Sequence, residues 1–133
     1  MKTNQITILD NYLKSGIKTI LLENININVF EERVELEANC DISLLNGHYE
    51  NVDFVPPKWY EELTEKSKSA LPILVIKDID KVSQDEQTKF LEILKYRKVS
   101  TFYLPENTII ILSCSNPKQF PIAEEIYSLV AHI

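Results

Sequence analysis

The sequence predicts a three-layer α/β protein in which helices cover both faces of a mainly parallel sheet. Three short and almost wholly apolar runs, at residues 19–22, 73–76 and 108–112, predict buried strands. Apolar runs of this length are typical of parallel strands that are buried on both faces. Helical signals separate the runs, and strands that alternate with helices indicate a parallel sheet between two helical layers.

The N-terminal region is predicted to hold a helix, a buried strand and two extended segments. Residues 6–13 place apolar side chains at helical spacing and Gly16 follows, which predicts a short amphipathic helix before the strand at 19–22. Residues 24–30 alternate apolar side chains with asparagines, and residues 34–38 alternate likewise. This period of two predicts strands, which form either a hairpin with a solvent-exposed face or an edge strand that pairs with a strand of a partner.

A turn and a polar helix are predicted before the second buried strand. Asparagine and glycine at 46–47 favour a turn, and the proline pair at 56–57 favours an extended chain followed by a helix start. A helix is therefore predicted over residues 58–68. Core packing on the sheet is favoured over an exposed contact surface for the aromatic residues of this region, namely Phe54, Trp59 and Tyr60.

A longer helix is predicted between the second and third buried strands. Ser83 and Glu86 stand at capping-box spacing, so the helix is expected to begin at Ser83 and to continue to Val99. Beyond the third strand, the pattern predicts a short helix at 123–128 and a closing strand at 129–133.

Length and composition predict one cytoplasmic domain over residues 1–133. There is no run of about 18 apolar residues and no signal-peptide core, so membrane attachment is not expected. The net charge of −6 disfavours direct binding to a nucleic-acid backbone. Cys40 and Cys114 lack neighbours at metal-ligand spacing and are predicted to be buried free thiols.

Two motifs follow the second and third strands. They read Lys77-Asp78-Ile79-Asp80-Lys81 and Ser113-Cys114-Ser115-Asn116-Pro117. With the helix between them, they resemble the Walker B strand, its following helix and the sensor-one strand of AAA+ ATPases in the P-loop NTPase superfamily, most closely the MoxR-like branch. The resemblance covers nearly the whole chain, since residues 20–23 resemble the strand that leads into the phosphate loop. It implies an AAA+-like core.

The phosphate loop itself is replaced in this sequence. The family has glycines and a Gly-Lys-Ser/Thr ending there, because glycine lets backbone N–H groups close on phosphate, lysine meets the outer phosphates and the hydroxyl holds magnesium. Residues 24–30 contain none of these residue types, and the chain has glycine only at Gly16 and Gly47. The pattern predicts extended backbone at 24–30 and no anion cradle.

The Walker B acidic pair is also changed. The resemblance implies an aspartate that positions magnesium and a glutamate that polarises water, where this sequence has Lys77 and Asp78. A one-residue slip would instead give Asp78 the magnesium role. A lysine at the position of the magnesium-binding aspartate would repel the ion. The repulsion is roughly 4 kcal/mol per unit charge of the ion, for a separation of 4 Å and an effective dielectric constant of 20.

The last matches lie towards the C-terminus. Asn116 matches the sensor-one asparagine, although asparagine before proline is also a common loop opener, which is the favoured interpretation. Residues 126–129 resemble the segment of the arginine finger, but Leu129 stands in place of the arginine. The core is expected to lack the family's helical lid.

The predicted function is a catalytically inactive AAA+-like module, a pseudo-ATPase, that acts as a protein-binding or regulatory subunit. Lys77, Asp78 and Asn116 are interpreted as motif relics, with no catalytic residue, cofactor or metal ligand predicted. The expected partner is a protein, such as an intact AAA+ ATPase or a replication subunit. The alternatives are a weakly nucleotide-binding ATPase and a clamp-loader subunit of the delta-prime type.

Other constellations carry less weight. His48 and His132 are isolated, and the sequence has no nucleophile motif, so a hydrolase is disfavoured. A solvated loop followed by a helix cap is favoured over a hard-metal cluster for the acidic residues Asp78, Asp80, Asp85 and Glu86.

Overall fold

The fold comes from a computed structural model that describes residues 11, 14–24, 33–115 and 121–132. In chain order, the elements are β1 (Thr19–Glu23), β2 (Arg33–Glu37), α1 (Ile42–Asn46), β3 (His48–Glu50), β4 (Asp53–Val55), α2 (Lys58–Lys66), β5 (Ile73–Lys77), α3 (Gln84–Gln87), α4 (Leu91–Tyr96), β6 (Lys98–Val99), β7 (Phe102–Tyr103), β8 (Ile109–Cys114), α5 (Glu124–Tyr127) and β9 (Ala131–His132). Short 3₁₀ turns occupy Ile79–Lys81 and Thr88–Phe90.

The centre of the fold is a five-stranded sheet in the order β2-β5-β8-β1-β9. All of its pairings are parallel, so the prediction of an α/β fold with a mainly parallel sheet is confirmed. The register aligns Val75 of β5 with Ile111 of β8, and Ile20 of β1 with the same Ile111. The three predicted apolar runs therefore form the three adjacent central strands.

Both faces of the sheet are buried. Successive side chains of a strand point to opposite faces, so the central strands contribute side chains to a core on each side. One face carries the larger core, in which Leu74, Ile110 and Leu112 pack with Trp59 and Leu63 of α2. The other face carries a smaller cluster, with Ile17 and Ile73 packed against it. The buried members of that cluster are Ile20, Leu22, Val75, Ile109 and Ile111. The helix predicted at residues 6–13 lies largely outside the described residues.

The helix predicted from Ser83 to Val99 is shorter than expected. Ser83 caps it as predicted, since its hydroxyl accepts the Glu86 N–H at 3.2 Å. The segment tightens into a 3₁₀ turn between α3 and α4 and ends at Arg97, whose left-handed backbone has φ 57°. Val99 belongs to β6, so the prediction of helix there is wrong.

Two antiparallel hairpins and α1 were not predicted. The hairpins pair β3 with β4 and β6 with β7. They meet through the rings of Phe54 and Phe102, whose centroids are 5.6 Å apart. Core packing is confirmed for Trp59, whose indole N–H donates to the Leu45 carbonyl at 2.9 Å, while Phe54 and Tyr60 are half-buried.

The extended segments predicted near the N-terminus are confirmed in part. β2 forms as expected from the alternation at 34–38, and it pairs in parallel with β5. Residues 25–32 lie outside the described residues, so the hairpin stays a prediction. Asn24 is exposed as expected, but its φ of 56° is left-handed, so the prediction of extended backbone is wrong at this residue.

Candidate functional site

The carboxyl edge of the sheet gathers the residues that follow β1, β5 and β8. Parallel strands end at a common edge, where α/β proteins bind ligands. The Asn24 N–H donates to the Cys114 carbonyl at 2.8 Å, and the Asp78 N–H donates to the Ser113 hydroxyl at 3.1 Å. The segments that resemble Walker B and sensor-one therefore meet at one place.

Lys77 is the last residue of β5, and its ammonium group lies on the β2 side of that strand. Its Nζ is 3.9 Å from a carboxylate oxygen of Glu35 and 3.4 Å from one of Glu37. Glu37 stands directly opposite Lys77 in the parallel register. Two carboxylates of β2 thus balance the lysine charge at this edge.

Asp78 turns the chain immediately after β5. Its φ of 59° lies in the left-handed region, which aspartate tolerates better than most residues do. Its carboxylate is 3.9 Å from the Lys81 ammonium, and its side chain is 40% exposed. A solvated carboxylate with a lysine beside it is a weak ligand for magnesium, whichever register the resemblance takes.

Asp80 is the acidic group that sequence reasoning misplaced. It was expected in a solvated loop, but it is 2% exposed. One of its oxygens accepts the Ser115 N–H at 3.0 Å and the Ser115 hydroxyl at 3.4 Å. Asp80 therefore ties the turn after β5 to the end of β8. The nearest signal in the sequence is the serine that follows Cys114, because a hydroxyl and an N–H at a strand end suit a buried carboxylate.

Cys114 lies beside this carboxylate at the end of β8. Burial, together with the negative charges of Asp80 and Glu23, raises the pKa of the Cys114 thiol to about 12. Burial also raises the pKa of the half-buried Cys40. A thiol is a nucleophile and a metal ligand only as the thiolate, so neither cysteine suits nucleophilic chemistry near neutral pH.

Two cavities at this edge differ from a nucleotide site, one in its size and the other in the charge of its described lining residues. The cavity next to Lys77 and Asp78 has about 80 Å³, whereas ligand pockets typically span roughly 300–1,000 Å³. A larger, open groove of about 510 Å³ runs from Asp80 to Pro121. Among the described residues, its charged lining side chains are Asp80, Lys81 and Asp85, so two carboxylates and one cation line it where a triphosphate would need more cations.

The remaining motif positions are only partly within the described residues. Asn116 and the residues in place of the phosphate loop, 25–30, lie outside them, so their roles stay predictions. Leu129, at the position that resembles the arginine finger, is half-buried and packs against the main core. An apolar side chain in that environment contributes to packing.

Other expected groups are placed as follows. The His48 ring lies 3.2 Å from Glu50 on the exposed β3–β4 hairpin. Within residues 11, 14–24, 33–115 and 121–132, no three or more histidine, cysteine or acidic side chains converge as metal ligands would. Over the same residues, no helix has the length and apolar character needed to cross a bilayer.

Comparison with known proteins finds no matching family model and no matching curated protein.

Proposed function

We propose that this chain is a catalytically inactive AAA+-like module that acts as a protein-binding or regulatory subunit. The proposal includes a three-layer core of the P-loop NTPase type. In an AAA+ core, the sensor-one strand lies between the strand that leads into the phosphate loop and the Walker B strand. Here β8 lies between β1 and β5, the strands that resemble those two, and this order supports the proposal.

The observation that carries the loss of catalysis is the environment of Lys77. A magnesium-binding aspartate would have to face the phosphates from the end of β5, and Lys77 is instead paired with Glu35 and Glu37. Asp78, the other candidate, lies beside Lys81. Glu35 and Glu37 are paired with Lys77, and Asp80 accepts the Ser115 N–H, which favours a structural role over metal chemistry for these side chains.

The direct test is phosphate release from Mg-ATP by the purified chain. We expect the rate to equal the buffer blank in wild type and in Asp78→Ala. Asp85→Ala is the matched control, since it removes an exposed aspartate from the nearby helix α3. Turnover that is present in wild type and in Asp85→Ala but lost in Asp78→Ala would contradict the proposal and favour the weak ATPase.

Affinity capture with the tagged chain from its native host tests the binding role. Recovery of an intact AAA+ ATPase or of replication proteins in stoichiometric amounts is the expected result, and replication proteins would favour the clamp-loader alternative. A chain that is recovered alone, at native expression and at low salt, would count against a subunit role.

A further inference from the structure

The short β6–β7 hairpin presents a face of aromatic and cationic side chains to solvent. Lys98 of β6 stands opposite Tyr103 of β7, and in an antiparallel pair such residues share a face. The Lys98 ammonium lies 5.8 Å from the centroid of Tyr103 and 5.9 Å from that of Tyr96. Lys95 lies 5.4 Å from the Tyr96 ring. We call this set the Tyr/Lys face; its members are Lys95, Tyr96, Lys98 and Tyr103.

The exposure of the two tyrosines is large. Tyr96 is 56% exposed and Tyr103 is 68% exposed. The other face of the same hairpin is packed, since Val99 is buried and Phe102 stacks on Phe54. The alternation of the two strands therefore sends Val99 and Phe102 inwards and Lys98 and Tyr103 outwards, where they meet Tyr96 at the end of α4.

The cations of this face differ from most of the other lysines. In the part of the chain that the structure describes, Lys95 and Lys98 form no ion pair with a carboxylate, whereas lysines 58, 68, 77, 81 and 89 each lie within 4.0 Å of one. The chain as a whole carries a net charge of −6. Two cations without carboxylate partners between exposed tyrosines are complementary to an anionic partner.

Several contacts hold the hairpin in place before any partner binds. The Tyr60 hydroxyl donates to the Tyr103 carbonyl at 2.7 Å, and Glu92 accepts the Ser100 N–H at 3.1 Å. Arg97 and Ser100 are left-handed at φ 57° and 54°, and the Leu104 N–H donates to the Arg97 carbonyl at 2.8 Å. A backbone that is already held by these hydrogen bonds loses little conformational freedom on binding, which favours affinity.

We propose that the Tyr/Lys face binds a short acidic protein segment that also carries apolar or aromatic side chains. Carboxylates of the segment pair with Lys95 and Lys98, and its apolar side chains pack on Tyr96 and Tyr103. A single-stranded nucleic acid would also use cations and aromatic rings. It is disfavoured because two lysines are few for a phosphate backbone. This inference rests on the protein-binding part of the proposed function.

The test is selection from a displayed library of random peptides on the folded chain, followed by fluorescence anisotropy with the enriched peptide. We expect enriched peptides to be rich in aspartate and glutamate. The variant Lys95→Glu/Lys98→Glu should weaken their binding at least about tenfold, and so should Tyr103→Ala, which leaves both lysines in place. Lys95→Arg/Lys98→Arg should bind within about twofold of wild type, since it keeps both charges.

The matched control is Lys58→Glu/Lys68→Glu, which makes the same charge change at exposed lysines on α2 and just beyond it. It should retain wild-type binding, and melting curves establish that every variant is folded. Enrichment without acidic residues, equal binding to the charge-reversed variant, or no enrichment would overturn the proposal. Tighter binding of an oligothymidine than of the peptide would overturn it in favour of nucleic acid. The rate of phosphate release is independent of this face, so failure here leaves the proposed loss of catalysis standing.

Discussion

Cys114 shows how a residue can lie within a motif and yet be chemically inert. It is 4% exposed at the end of the central strand β8, and the negative charges of Asp80 and Glu23 act on it. A thiolate there would be both desolvated and repelled, so the proton stays on sulfur. The same carboxylate, Asp80, binds the Ser115 N–H, so the site uses its charge to fix backbone.

The raised pKa of Cys114 predicts a loss of stability at alkaline pH. Between pH 9.0, the ordinary value, and about 12, the unfolded thiol ionises while the folded one remains protonated. The unfolded state then binds fewer protons, so the free energy of unfolding falls as pH rises, by at most about 1.4 kcal/mol per pH unit. Urea denaturation of wild type and Cys114→Ala at several pH values above 9 measures the difference.

Wild type should lose stability with pH faster than Cys114→Ala does, since the variant has no group to titrate there. Cys40→Ala is the control: its thiol is half-buried, and we expect it to remove less of the slope. Parallel curves for wild type and Cys114→Ala above pH 9 would contradict the assignment of a protonated, buried thiol.

At the scale of the element, β8 is the strand on which both cores depend. Ile110 belongs to the larger core and Ile111 to the smaller one, and both side chains are fully buried. Its neighbours on either side, β1 and β5, pair with it over their whole lengths or nearly so. Substitutions in β8 should therefore weaken the packing on both faces of the sheet.

We expect Ile110→Ala and Ile111→Ala each to lower the free energy of unfolding by about 2–5 kcal/mol, from lost burial and the cavity left behind. Val52→Ala, at a side chain that is 90% exposed in the β3–β4 turn, should change it by less than about 0.5 kcal/mol. Urea denaturation and thermal melting measure all three. If both isoleucine variants melted within a degree of wild type, the central position of β8 would be wrong.

The sequence was informative about elements whose pattern is local and long enough. The strands β1, β5 and β8 are continuous apolar runs, and the Ser83 cap follows from two residues at fixed spacing. The hairpins were missed because β6 and β7 have two residues each, and the left-handed positions in the turns are filled by Asn51 and Ser100, with no glycine to signal them.

The candidate site could likewise be predicted only where it follows from the pattern of the strands. The meeting of the two motifs at one edge follows from parallel pairing, which the apolar runs predict. The buried Asp80 contacts Ser115, which lies 35 residues away in sequence, so the serine can be matched to this carboxylate only when the strand order is known. The pairing of Lys77 with Glu35 and Glu37 likewise requires the register of β2 on β5.

At the scale of the whole molecule, stability and charge both bear on nucleotide binding. The two cores are built from apolar side chains, whose burial stabilises the fold. The net charge of −6 opposes the approach of a triphosphate. The folded state should therefore be independent of nucleotide.

Thermal melting with and without Mg-ATP tests that independence, because a ligand that binds only the folded state must raise the melting temperature. At a hundred times its Kd, such a ligand adds about 2.7 kcal/mol to the free energy of unfolding. For a domain of this size that corresponds to a rise of roughly 10 °C. We expect less than one degree at about 1 mM Mg-ATP, with magnesium tripolyphosphate as the control for ionic effects. A saturable rise specific to Mg-ATP and abolished by Asp78→Ala would mean that the edge of β5 still binds nucleotide, and the weakly nucleotide-binding alternative would then replace the pseudo-ATPase.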